Sequence, residues 1–171
     1  MDNYQMGCFK MPKHVTESID RIQRRYWWRA DNKKRMNPIS WGSVCKPKRL
    51  GGRGFKNTTK FNDAILEKLA WRMITAENSL CARIPKAKYF HNKDPLCDEV
   101  TTQGSWIWKS IYKVFHIVKK YYVWYVGDGT KIKIWKHNWI ANIPHTQLSN
   151  ASQHSGENDI VQSLIKQEFK Q

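Results

Sequence analysis

Residues 58–75 read TTKFNDAILEKLAWRMIT, and this stretch decides the fold class. Phe61, Ile65, Leu69 and Met73 recur every four residues, with Leu66, Ala70 and Trp71 alongside. That period is the mark of an amphipathic helix laid on a core. Thr58 or Thr59 offers a hydroxyl to cap its start. Upstream, Val15, Ile19, Ile22 and Tyr26 give a second apolar stripe and predict a helix over 13–30. Downstream, Ser105 is a natural N-cap for a helix over 105–120. Trp108, Ile111, Tyr112, Phe115 and Val118 form its stripe, and Lys119 and Lys120 suit the negative end of its dipole. Asn78 or Ser79 starts a further helix towards Tyr89, which Pro85 is expected to kink or end near Ile84. Residues 1–12, with Gly7 and Pro12, read as an irregular entry segment, and 91–104 as a loop.

The C-terminal third changes period. Two β-rich runs within 121–135 flank Gly127-Asp128-Gly129-Thr130, and Asp-Gly is a strong hairpin signal. A three-residue loop sets Trp124 opposite Ile132 and Tyr122 opposite Ile134; a two-residue loop shifts the pairing by one. Asp128 reads as a turn aspartate bonded to its own backbone, not a catalytic acid. The expected architecture is mainly α with a small β-hairpin (α+β). A helical domain over 1–140, with its hairpin at 121–135, precedes a polar linker and short amphipathic helix over 141–171. Ile160, Val161, Leu164, Ile165 and Phe169 are that helix's apolar residues.

The chain has 171 residues and a formal net charge of +16. Residues 1–60 carry 15 bases and 4 acids, residues 61–140 carry 13 and 7, and the remainder 2 and 3. Such a field selects polyanions, nucleic acid first and an anionic membrane surface second. Arg21, Arg24, Arg25 and Trp28 share one face of the first long helix. Lys33, Lys34, Arg35, Lys46, Lys48, Arg49 and Arg53 crowd the loops that follow, with Lys56 nearby. These eleven residues, Lys56 apart, are the candidate contacts to the phosphate backbone of RNA or DNA. A solvated basic helix face is the competing reading. Gly51-Gly52-Arg53-Gly54 permits a tight turn, or a nest of N–H groups for a phosphate, but no Gly-Lys-Ser/Thr follows as in a P-loop. A minority of the nine tryptophans, interleaved with bases, would stack on nucleobases.

Several chemistries are set aside. No apolar run reaches the ~18 residues of a membrane span. Cys8, Cys45, Cys81 and Cys97 form no Cys-x-x-Cys pair, and His91, His137, His145 and His154 lack ligand spacing, so neither a metal nor another cofactor is expected. Four such cysteines are no disulfide framework and suit a reducing compartment. Carboxylates do not cluster as a two-metal centre requires, and no Gly-x-Ser-x-Gly elbow occurs. The residues argue for binding without catalysis and offer no catalytic residue.

The blocks GCFKMPKHVTESID (7–20), RRYWW (24–28), ISWGSVCKPKRLGGRGF (39–55), FNDAILEKLAWRM (61–73), SLCARIPKAKYF (79–90), SWIWKSI (105–111) and WYVGDGTKIKIWKHNWI (124–140) stand in a fixed order. Together they resemble the region downstream of the polymerase domain in plant LINE-type (non-LTR) retrotransposon reverse transcriptases. They are also similar to small plant mitochondrial proteins derived from that region. The resemblance covers roughly residues 4–140. It implies descent from an RNA-directed DNA polymerase reading frame, without the palm aspartates or the following cysteine-rich segment, and a nuclear or mitochondrial location. Two departures stand out. The family usually has an acid near His137, where this chain reads Lys136-His137-Asn138. It has an aliphatic residue at Pro85, and a helix-interior proline costs roughly 3 kcal/mol. The competing reading is a degenerate retroelement relic without a selected activity. Templated synthesis by the chain alone, or membrane binding through the basic helix, are the remaining alternatives.

Overall fold

The computed structural model describes residues 3–28, 38–76, 78–91, 93–141, 143 and 160–165. The chain divides into two compact units: Met1–Ile84 with Thr102–His116, and Pro85–Thr101 with Ile117–Gln171.

The first unit is built around one long helix. In chain order it holds α1 (Asn3–Cys8), α2 (Lys13–Trp27), α3 (Trp41–Val44), α4 (Thr58–Thr75) and most of α5 (Leu80–Pro85), and it takes the larger part of α6 (Trp106–Tyr121). α1 and α2 both pack on α4. The expected helix over 58–75 forms with those bounds, but its cap differs and its buried ridge matches only in part. Asn57, not a threonine, caps it: Lys60 N–H donates to Asn57 Oδ1 at 3.0 Å. The Asp20 carboxylate of α2 accepts from Thr58 N–H at 3.1 Å and from the Thr58 hydroxyl at 2.5 Å. The buried positions are Thr58, Asn62, Leu66, Ala70 and Met73. Of the expected apolar residues Met73, Leu66 and Ala70 are buried, while Phe61, Ile65 and Leu69 are half-buried; the polar Thr58 and Asn62 complete the buried ridge.

Asn62 shows what the polar part of that ridge is for. Its Nδ2 donates to the carbonyls of Met6 (2.7 Å) and Phe9 (2.9 Å), and its Oδ1 accepts from Met11 N–H (2.9 Å). One buried amide therefore satisfies three backbone groups at the end of α1, as buried polar groups require. Residues 3–8 thus form a helix inside what the sequence presents as irregular. Gly7 allows the close approach, since a Cβ there would lie 3.3 Å from Ile65 Cγ2. Lys10 also pairs with Asp63. On α2 the face turned to α4 carries Thr16, fully buried and 2.8 Å from the Thr59 hydroxyl, and Asp20. Of the expected stripe Val15 and Ile19 are half-buried, whereas Ile22 and Tyr26 are exposed.

α5 starts where Ser79 caps it, with Ala82 N–H donating to Ser79 Oγ at 3.2 Å. Pro85 ends the α-helix, as expected, and a π-helical turn over Lys86–Phe90 follows. The proline therefore stands at a change of helical period instead of inside a continuous ladder. Ser105 caps α6, accepting from Trp108 N–H at 3.2 Å. The helix buries Trp108, Ile111, Val114 and Phe115, while Tyr112 remains partly exposed.

The second unit corrects the fold class: no strand forms among the described residues, and the hairpin over 121–135 is absent. The chain is helical, not α+β. The turn itself exists. Asp128 Oδ1 accepts from Thr130 N–H (3.2 Å) and its hydroxyl (2.9 Å), and Gly129 has φ +74°. What fails is the second arm. His137 N–H donates to Lys133 O at 3.1 Å, so residues 133–137 close into a turn. Residues 160–162 take places the first arm would have filled: Val161 N–H donates to Ile132 O (2.9 Å), Gln162 N–H to Gly129 O (3.2 Å), and Lys133 bridges Ile160. Ile132, Ile134 and Val161 form a small core flanked by Trp124, Val126, Trp135 and Trp139. Where an amphipathic helix is expected, Val161–Leu164 make a 3-10 turn; Phe169 and most of 141–171 lie outside the described residues.

Candidate nucleic-acid interface

The positive charge belongs to the first unit, which has 20 bases and 7 acids against 10 and 7 in the second. On α2, Arg21 and Arg25 are exposed and Arg24 is half-buried. Arg24 and Arg25 occupy the last turn, where the helix dipole favours cations whatever their further role. Trp28 follows as the C-cap, half-buried, its indole N–H buried without an acceptor among the described residues. Its neighbour Trp27 is the one that meets the next basic segment, edge-on to Phe55 with ring centroids 4.8 Å apart. Trp41 meets the same Phe55 ring at 5.4 Å. The aromatic cluster thus ties the arginine-bearing end of α2 to the loop that carries Lys46, Lys48, Arg49 and Arg53.

That loop is a closed scaffold. Ser40 caps α3, and Lys48–Leu50 form one 3-10 turn that ends at Gly51 with φ +79°. The N–H groups of Gly51, Gly52, Arg53 and Gly54 donate to the carbonyls of Lys48, Pro47, Val44 and Lys46 at 2.9–3.2 Å. A Cβ on Gly52 would lie 1.9 Å from Lys46 O, so the turn closes only around glycine. These amides are spent on the chain itself, which removes the phosphate-cradle reading. The turn instead presents side chains: Lys46, Lys48, Arg49 and Arg53 are all exposed. Among the described residues no ion pair engages these four or Arg21, Arg24 and Arg25. Lys33, Lys34 and Arg35 lie outside the described residues.

A second cluster, in the other unit, escaped the sequence reading. Asp94, Cys97 and His137 bring a carboxylate oxygen, a thiol and a ring nitrogen within 4.8 Å of one another. The donor set looks metal-like, but its hydrogen bonds run otherwise. Lys133 N–H donates to His137 Nδ1 at 3.0 Å, so the neutral ring carries its proton on Nε2, which meets Asp94 Oδ2 at 2.9 Å. A metal at Nε2 needs a lone pair there and, normally, an acceptor facing Nδ1. The Cys97 thiol donates to Lys136 O at 3.2 Å, and burial, with the Asp94 charge beside it, pushes its pKa up to about 12. The thiol is therefore a poor nucleophile at neutral pH. Burial alone would raise Asp94, but the hydrogen bonds from His137 and Leu96 N–H hold its carboxyl below the ordinary value. Burial also raises the Tyr122 phenol. Asn138 N–H reaches the Tyr122 hydroxyl at 3.4 Å, and Trp124 N–H donates to Asn138 O at 2.7 Å. The cluster is a polar tie that fastens the 133–139 turn to the Asp94 loop.

Among curated proteins, the chain is 30% identical over 139 residues to "Uncharacterized mitochondrial protein AtMg00310" of Arabidopsis thaliana, covering 80% of this chain and 90% of that protein. The chain belongs to the family of that protein. It is also 29% identical over 154 residues to "Putative ribonuclease H protein At1g65750" of Arabidopsis thaliana, covering 88% of this chain but only a quarter of that larger protein. No family model matches the chain, and no solved structure matches it.

Proposed function

We propose that the chain is a non-catalytic nucleic-acid-binding segment, derived from the region that follows the polymerase in a plant non-LTR retrotransposon reverse transcriptase. It grips RNA or DNA through the sugar–phosphate backbone. One observation carries this reading: the Trp27–Phe55–Trp41 cluster holds the Arg24–Arg25 end of α2 beside a loop whose exposed bases have no carboxylate partners among the described residues. Unpaired cations on a rigid turn cost no ion pair when they meet phosphates. The name of the larger relative, a ribonuclease H protein, agrees with a nucleic-acid setting. Two of the three features that favour a degenerate relic, the missing palm being the third, are weakened: Pro85 stands at a helix junction, and the His137 ring is bonded at both nitrogens where the family has an acid.

The test is fluorescence anisotropy of labelled oligonucleotides against the wild type and the triple variant Arg21→Ala, Arg24→Ala, Arg25→Ala. Loss of three phosphate contacts should weaken binding alike for every sequence and reduce the salt slope by about 2–3. Unchanged affinity in the triple variant would reduce this helix face to a solvated surface.

A further inference from the structure

A cleft of about 380 Å³ opens in the first unit between the 42–47 segment and the start of α4. It falls within the size range of small-ligand sites. Its charged lining is Lys46, Lys56 and Lys60, and among the described residues no carboxylate lines it. The Asp20 carboxylate, which accepts from Thr58 and Asn57, keeps its charge and acts on Cys45 at the cleft together with Lys60. None of the three lysines is in an ion pair among the described residues. The arrangement is built, not incidental. Gly54 N–H donates to Lys46 O at 3.0 Å, so the glycine turn folds Lys46 back towards Lys56. Asn57 fixes the first turn of α4 and with it Lys60 and Phe61. Lys56 Nζ sits 4.3 Å from the Phe61 ring centre, the cation poised over an apolar floor. Gly42 leaves the opposite side open, with nothing within 4 Å of where its Cβ would be.

We propose that this cleft binds the phosphorylated end of a nucleic-acid strand, the terminal phosphate among the three ammonium groups. The inference rests on the nucleic-acid reading above and adds an end preference to it. Charge makes the choice of ligand. An internal phosphodiester carries one negative charge, whereas a phosphomonoester carries about −1.5 to −2 at neutral pH and three acceptor oxygens. Three cations against the single Asp20 carboxylate favour the second. A free phosphate would leave most of the volume unfilled.

The shared chemistry is a phosphomonoester on a nucleoside, and both strand ends can supply it. Three otherwise identical single strands, bearing a 5′-phosphate, a 3′-phosphate or hydroxyls only, are titrated against the wild type and against the double variant Lys56→Gln, Lys60→Gln. The wild type should prefer one phosphorylated end by about tenfold, as charge-assisted contacts to an added charge imply, and the double variant should lose that preference. Equal wild-type affinity for all three strands overturns the end preference while leaving backbone binding standing. A preference that survives in the double variant overturns the assignment to this cleft. No binding of any strand overturns the backbone reading and this inference with it. Because both substitutions lie at the start of α4, a second readout uses the wild type alone: the phosphorus resonance of a nucleoside 5′- or 3′-monophosphate should shift and broaden on adding the protein, and an unmoved resonance with both counts against the site.

Discussion

Asn62 concentrates more structure than any apolar residue of α4. Its substitution by alanine leaves Met11 N–H and the carbonyls of Met6 and Phe9 without partners in a buried site. A cost of about 2–4 kcal/mol follows from such losses, read as a lower urea midpoint with an unchanged slope. Asp94 makes a pH prediction. Its folded-state pKa is below the ordinary carboxylate value, so the folded state favours the ionised form. The stability it contributes is present at neutral pH and is lost as pH falls through the acidic range below about 4. Unfolding titrations between neutral and acid pH should show that loss in the wild type and a flatter profile in Asp94→Asn. Cys97, with its thiol raised to about 12, should resist iodoacetamide at neutral pH in the folded chain and react after unfolding. None of this was legible in the sequence for a simple reason. Asp94 and His137 are 43 residues apart, and their relation depends on how the 133–137 segment turns. Asn62 was visible as a lone amide on an apolar helix, but its purpose appears only once α1 lies across it.

Elements were legible where local chemistry dominates. The bounds of α4, the Ser105 and Ser79 caps, the break at Pro85 and the Asp128 turn all follow from short-range signals. The buried apolar residues of α4, Leu66, Ala70 and Met73, were legible, but its apolar arc is wide and the packing of α1 and α2 chooses which part is most covered. The hairpin failed for a related reason. The Asp-Gly turn is a local fact, but pairing of its arms competes with the His137–Lys133 closure and with residues 160–162, both invisible to a period-two pattern. The glycine turn offers the sharpest test at this scale. Gly52→Ala places a methyl group against Lys46 O and forces the loop open. It should cost about 1–3 kcal/mol and weaken strand binding as well, since Lys46, Lys48, Arg49 and Arg53 lose their common frame. Normal stability with normal binding would mean that this turn does not organise the basic surface.

At the scale of the whole molecule, charge and fold agree. The unit built on α4 carries 20 of the 30 bases, and its polar ties within α1, α2 and α4 use little of that charge. The second unit, close to neutral by comparison, spends its polar groups on internal bonds around His137 and Tyr122. The composition alone pointed to a polyanion partner; the structure adds how the bases divide between the two units and that the glycine-turn amides are bonded within the chain. The most direct measurement is the affinity for a single-stranded oligonucleotide over a range of salt concentrations. If about six phosphates are neutralised, log K should fall against log salt with a slope of about −4 to −5, for RNA and DNA and for unrelated sequences alike. An affinity independent of salt, or no measurable binding at low ionic strength, would contradict backbone recognition by the first unit.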